Sequence, residues 1–422
     1  YANSVYGSAT SATTVTSCDN KLYVSAAALE GITDEELTFV ELGQLVEWQS
    51  QIFHIGSRTG VVLDGTEAEI TFNQDEWDLY YVTDKTKKSL VGRTYWLQNH
   101  INFLDAPGEF YYDRSAGTIY YYPLKGQDMS SAAVEYATLD TLIRMENAAN
   151  ITFDGIAFTG TTANYISEHG LATMLGATLC LYEGDEAQHM PFSAIQGNYA
   201  EGIQIKNCTF EELSGSAVIF HCGIKDLQVS GNVIRNIAMA GIQVGRNQLW
   251  WNQDGIPGAS EDVTIENNYI TNIGTITFGA PAIRVARSKN LKIRYNKIVH
   301  VPYSAIMTGI GWNVSPTDEG RNTNLVNADI SYNYIEDYLY KINDGGAIYT
   351  CGANNFVSYT ETMNAIHHNY VRAGGHNGTY TGIYHDGSAS NWHTYSNVID
   401  DLKSKKGPMF FQDDVPSQYS HN

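Results

Sequence analysis

From Val229 to Leu402 apolar residues recur in short alternating runs, and each run is broken by an Asn before a second one begins. The segments VSGNVIRNI (229–237), IENNYITNI (265–273), IRYNKIVHV (293–301), ISYNYIEDY (330–338), IHHNYVRAG (366–374) and TYSNVIDDL (394–402) align on one column, Asn232, Asn268, Asn296, Asn333, Asn369 and Asn397. Val or Ile stands two positions beyond every one of these Asn. The intervals are 36, 28, 37, 36 and 28 residues, a repeat carrying insertions. A further apolar strand follows in each unit: AGIQV (240–244), PAIRV (281–285), SAIMT (304–308), GAIYT (346–350), TGIYH (381–385) and PMFFQ (408–412). Looser versions precede them in ITFDGIAF (151–158), IKNCTFEEL (205–213) and SAVIF (216–220).

A unit this short cannot bury its apolar face alone, but stacked units share one continuous core. The column Ile242, Ile283, Ile306, Ile348 and Ile383 is the natural internal stack. The predicted fold is therefore all-β, a right-handed parallel β-helix. A propeller would repeat every 40–45 residues or so with four strands per blade, and a sandwich would not repeat one motif six times. The Asn column reads as structural, placed at a turn with its amide bonding the main chain of neighbouring coils.

Residues 1–140 lack the repeat and form a β-rich leading section, leaving 141–422 as the β-helix. QSQIFHI and AEITF alternate like half-buried strands, and EFYYDRSAGTIYYYP (109–123) reads as a hairpin. Thr33 and Glu36 stand at capping-box spacing, in competition with a strand over ELTFVEL. Residues 160–200 interrupt the repeat, and such insertions usually flank the binding face of a solenoid.

Composition narrows the partners. Charged residues are 17% of the chain, below the roughly 25% of an average protein, and Tyr occurs 29 times. The net charge of −21 repels nucleic acid and polyanionic glycans at long range, so a neutral glycan is the expected ligand and nucleic acid is not. The five cysteines, Cys18, Cys180, Cys208, Cys222 and Cys351, show neither CxxC nor metal-ligand spacing, and buried free thiols are expected rather than a Cys208–Cys222 bridge. No run of about 20 apolar residues suggests a membrane span. A chain opening on Tyr1 reads as one whose leader has been removed, in keeping with a bacterial extracellular or cell-surface protein. The uncapped end, GPMFFQDDVPSQYSHN, suggests that the chain continues or that a second polypeptide completes it.

Two carboxylates are the first candidates for chemistry. Asp337 lies where a strand ends and Asp344 opens the next one in KINDGGAIYT, so a turn can bring both to one face. Paired carboxyls cleave glycosidic bonds, one as acid, the other as nucleophile or base. Against this, Asn236, Asn272 and His300 occupy the position of Asp337 in other coils. Beside the pair, Gln243, Arg284, Tyr349, Tyr384, His385, Asp386 and Trp392 form a candidate sugar-binding wall, with Trp312, Trp250 and Trp251 on loops. His367 and His368 should point to opposite faces of a strand and so make no metal pair. Asp413 and Asp414 lack EF-hand spacing. No cofactor is expected for the chemistry, and a structural calcium is an option.

The run TYWLQNHINFLDAPGEFYYDRSAGTIYYYP, then ITFDGIAF and the N-x-I coils, resembles bacterial glycan-cleaving β-helix proteins. Asp337 and Asp344, seven apart and leading into GGAIYT, are similar in particular to glycoside hydrolase family 136, the lacto-N-biosidases. That resemblance implies retaining hydrolysis, with Asp337 as acid/base and Asp344 as nucleophile. It also implies lacto-N-biose released from lacto-N-tetraose-type milk glycans, and a helper domain or chaperone chain. The chain departs from the family in showing no helical N-terminal domain and in ending soon after the aspartates. A β-xylosidase-like β-helix enzyme, a calcium-dependent polysaccharide lyase and a non-enzymatic glycan-binding β-helix are the alternatives.

Overall fold

The computed structural model describes residues 7–8, 20–62, 65–83, 93–176, 178–179, 191–245, 260–309, 325–352, 354, 363–375, 381–387, 389–404, 406–411 and 419–421. The chain is a right-handed parallel β-helix led by an antiparallel lobe. Each coil contributes one strand to each of three parallel sheets. One coil runs Lys225–Ser230, Val233–Ile237, Ile242–Val244; a later one runs Asp329–Ser331, Tyr334–Tyr338, Gly346–Thr350. What reads in sequence as one apolar segment is thus two strands meeting at a corner, with the Asn at the corner.

The corner explains the Asn column. The residue before each Asn turns the chain in the left-handed region: φ is 69° at Gly231, 56° at Asn267, 57° at Tyr295, 56° at Tyr332 and 53° at His368. A left-handed non-Gly residue costs roughly 1–2 kcal/mol, and the Asn ladder offsets it. Asn296 Nδ2 donates to Asn333 Oδ1 at 3.0 Å and to Ile265 O at 3.0 Å, while its main-chain N–H donates to Asn333 Oδ1 at 3.1 Å. The same pattern links Asn232 to Asn268, Asn268 to Asn296, Asn333 to Asn369 and Asn369 to Asn397. These amides are buried, so each donor and acceptor must be matched.

Inside the coils the expected isoleucines stack in register, Ile242 to Ile283 to Ile306 to Ile348 to Ile383, and belong to one continuous core. Cys208 and Cys351 are free and buried, and Cys222 is buried as well. The adjacent His367 and His368 do not diverge as a strand would require. His368 is left-handed, so the two Nδ1 atoms come to 2.8 Å.

The leading lobe has the sheet order Gly7–Ser8, Thr94–Gln98, Glu41–Leu45, Ser50–Val62, Glu67–Phe72, Lys21–Ser25. Its own core holds Leu22, Leu42, Phe53, Ile70, Phe72 and Leu97. Thr33 and Glu36 do form a capping box, on the helix Asp34–Leu37, in place of the strand reading. The hairpin is present as Phe110–Asp113 paired with Thr118–Tyr121. The lobe reaches the β-helix through the turn between Glu41–Leu45 and Ser50–Val62. Glu47 O accepts from Asp344 N at 2.8 Å, Ser50 Oγ accepts from Phe278 N at 3.0 Å, and Thr173 Oγ1 donates to Ser50 O at 2.7 Å. Trp96 meets Phe278 edge to face at 5.6 Å. No helix among the described residues is long and apolar enough to cross a membrane.

Candidate active site on the third sheet

The strand Gly346–Thr350 alternates its side chains, with Ile348 inward and Tyr349 outward. The outward column of this sheet runs Gln243, Arg284, Met307, Tyr349, Tyr384 and Phe410 in register. Its members from Gln243 to Tyr384 are buried. The Gly176 main chain lies over part of it: Gln243 Nε2 donates to the Gly176 carbonyl at 3.3 Å.

At the Tyr349–Tyr384 end two carboxylates converge on a floor of phenols. Tyr384 Oη donates to Asp386 Oδ1 at 3.1 Å, and Tyr349 Oη donates to Asp386 Oδ2. Asp344 stands before the strand holding Tyr349, and its carbonyl accepts from Tyr303 Oη at 2.8 Å. Asp344 and Asp386 are both half-buried, whereas Tyr303, Tyr349 and Tyr384 are fully buried. Burial first, and then the charges of Asp344 and Asp386, raise the Tyr303 phenol well above its ordinary value. Burial first, with Asp386 next, does the same at Tyr349. Both phenols are therefore protonated donors at any working pH. Gly345 is required here, since a Cβ would sit 2.7 Å from Ser304 Oγ and 3.0 Å from the Tyr303 ring.

Asp337 takes a different place. It is left-handed, φ 55°, at the second corner of the coil, in one column with Asn236, Asn272 and His300 (φ 52°, 48° and 57°). His300 Nδ1 lies 2.6 Å from Asp337 Oδ2, and the His300 ring stacks on Tyr340 at 4.4 Å. Burial first, then the Asp337 charge, pushes the Tyr340 phenol up to about 12. Asp337 thus continues a polar corner ladder, while the charges of Asp344 and Asp386 both act on the phenols of Tyr303 and Tyr349.

Of the expected wall, Tyr349, Tyr384 and Asp386 come together, with Asp344 near enough for its charge to act on Tyr349, and Gln243 and Arg284 lie farther along the same face. His385 and Trp392 do not line it. Alternation turns both into the coil, where His385 bonds Thr350 Oγ1 at 2.9 Å and Thr394 Oγ1 at 3.2 Å, and Trp392 joins the core. Burial pushes the His385 imidazole down to about 3. Trp312, Trp250, Trp251, Asp413 and Asp414 lie outside the described residues. Tyr303 was not anticipated, because it stands one residue before the aligned segment SAIMT and only the register reveals it.

Residues 15–124 match the family described as the GH141 insertion domain, and residues 141–315 match the right handed beta helix region. A solved structure titled "Glycoside hydrolase" superposes with a TM-score of 0.78 over 98% of this chain and 73% of that one, at 21% identity. An alginate lyase from Paenibacillus sp. str. FPU-7 aligns over 54% of this chain and 76% of its own at 13% identity, with a TM-score of 0.31. The A-module of the Azotobacter vinelandii mannuronan C-5 epimerase AlgE4 aligns over 55% and 69% at 15% identity, with a TM-score of 0.26. No curated protein matches the chain. The matched insertion domain is that of family 141 rather than family 136, and what the chain shares with the glycoside hydrolase structure is a parallel β-helix fold along nearly its whole length.

Proposed function

We propose that this protein is a glycoside hydrolase whose reacting groups are Asp344 and Asp386. The observation that carries the reading is the pair of half-buried carboxylates over the buried phenols of Tyr303, Tyr349 and Tyr384. The match to a glycosidase insertion domain and the likeness to a glycoside hydrolase structure support the same class. One carboxyl protonates the departing glycosidic oxygen while the other attacks the anomeric carbon or activates water. Tyr349 and Tyr384 hold both oxygens of Asp386, which fixes its orientation toward the sugar.

The finer reading is lacto-N-biosidase action by a retaining mechanism, with Asp337 as acid/base and Asp344 as nucleophile. It draws on the seven-residue spacing before GGAIYT. The two readings differ in the second acid, Asp386 or Asp337. Incubation with lacto-N-tetraose and a panel of aryl glycosides, with products identified by mass, tests the class. No hydrolysis of any glycan would refute it. Loss of turnover in Asp386→Asn with retention in Asp337→Asn selects the pair proposed here, and the reverse pattern selects the lacto-N-biosidase pair.

A further inference from the structure

Arg284 has no task in the chemistry above, yet its surroundings are unusual. It is wholly buried on the outer face of the third sheet, between Gln243 on one coil and Met307 on the next. The main chain at Gly176 crosses it: a Cβ there would lie 2.8 Å from Arg284 Nε and 3.1 Å from Met307 Sδ. Among the described residues no carboxylate pairs with the guanidinium. Among the described residues Nε and Nη1 of Arg284 and Oε1 of Gln243 have no hydrogen-bond partner.

An uncompensated buried charge costs several kcal/mol, and a packed apolar side chain of similar volume would remove that cost. An Arg kept in such a place implies an anion that meets it during work. The open groups also specify the anion's neighbourhood. An open, charged guanidinium N–H suits a carboxylate oxygen. An open amide oxygen one coil away, at about 4.8 Å, suits a hydroxyl donor. A carboxylate beside a hydroxyl is the signature of a sugar acid.

We infer that Arg284 and Gln243 form a subsite for a uronic acid residue of the glycan, the guanidinium taking its carboxylate and the amide oxygen a neighbouring hydroxyl. This deepens the proposed glycosidase reading, which it uses to place the sugar along the same face as Asp344 and Asp386. Seating the sugar displaces the Gly176 main chain, whose bond from Gln243 is long at 3.3 Å. The net charge of −21 still disfavours a polyuronate, so the ligand is an otherwise neutral glycan bearing an isolated acid. The neutral-glycan expectation is thereby narrowed rather than kept whole.

Thermal shift with D-glucuronate and D-galacturonate, against D-glucose, D-galactose and acetate at equal concentration and ionic strength, tests the subsite without catalysis. The intact protein is expected to be stabilised more by one uronate than by its neutral counterpart or by acetate. Arg284→Met should lose that preference while melting no lower than the parent. Should Arg284→Met fail to fold, Gln243→Leu replaces it and is expected to weaken the uronate response. A parent protein that treats uronate and neutral sugar alike, or a folded variant that keeps the preference, overturns the inference. An acetate response equal to that of the uronate overturns its sugar-acid part. Uronate preference without turnover of any glycan would leave the subsite standing and remove the glycosidase reading. For a hydrolysed uronate-bearing oligosaccharide, Arg284→Met should lower kcat/KM at least tenfold relative to its carboxyl-reduced twin.

Discussion

Tyr303 donates its phenol to the main-chain oxygen of Asp344, one coil away, at 2.8 Å. The bond ties the residue that begins one strand to the carboxylate-bearing turn that begins the next. Glu47 O accepts from the N–H of the same Asp344, so its backbone is held at both polar groups. With its backbone so fixed, Asp344 stands near the buried phenols of Tyr303 and Tyr349, on which the charge of Asp386 also acts.

Removing either acid should abolish turnover. Asp344→Asn and Asp386→Asn are each expected to lower kcat on the order of 10³-fold or more, with circular dichroism and melting unchanged. Asp337→Asn, which disturbs a corner ladder, should stay within roughly tenfold of the parent. Steady-state kinetics on one aryl glycoside decides among the three.

Tyr349→Phe and Tyr384→Phe each delete one donor to Asp386. A hydrogen bond to a charged group contributes about 1.5–3 kcal/mol, so each variant should lose about 10- to 100-fold in kcat with little change in KM. A fall in kcat at constant KM would mark loss of support for Asp386. An unchanged kcat in both variants would dismiss the positioning role.

Stability rests on the buried amide row. Asn333→Ala strips partners from Asn296 N and Ile293 O and should cost about 1–3 kcal/mol. Asn333→Asp should cost more, because a carboxylate would face the acceptors Ile293 O and Asn369 Oδ1 without a proton to give. Denaturant unfolding of the three proteins ranks them, and a silent Asn333→Ala would contradict the ladder's role.

Two histidines give stability opposite slopes with pH. Burial holds His385 at about 3, below its unfolded value near 6.5. Its contribution is complete above pH ~6.5 and falls by up to about 1.4 kcal/mol per pH unit below that. At His54 burial pulls downward, but the hydrogen bond and charge of Glu76, helped by Glu41, raise the imidazole overall. Its contribution is complete below pH ~6.5 and is lost as pH rises through the folded value. Melting curves across pH should therefore flatten on the acid side in His385→Gln and on the alkaline side in His54→Gln.

The Asn column and the isoleucine stack made the coil legible in sequence, because a repeated turn and a repeated inward position leave a period that no insertion erases. The site was legible only in part. Of the proposed site, Asp344 was singled out from its Gly-Gly neighbours, and Tyr349 and Tyr384 from their alternation. Asp386 was read as wall, and the proposal makes it a reacting group because of its bonds from Tyr349 and Tyr384, which depend on which coils adjoin. The seven-residue spacing of Asp337 likewise says nothing about the corner at φ 55° that brings its carboxylate to His300. Two-residue periodicity places His385 inside as soon as Ile383 is placed there, and that signal was available.

The bond from Asp344 N to Glu47 O makes the antiparallel lobe part of the scaffolding of the proposed reaction centre. A β-helix trimmed to begin near residue 141 would retain its coils and forfeit this anchor. Grafting the acidic turn onto a foreign solenoid would likewise transplant the tool without its vice.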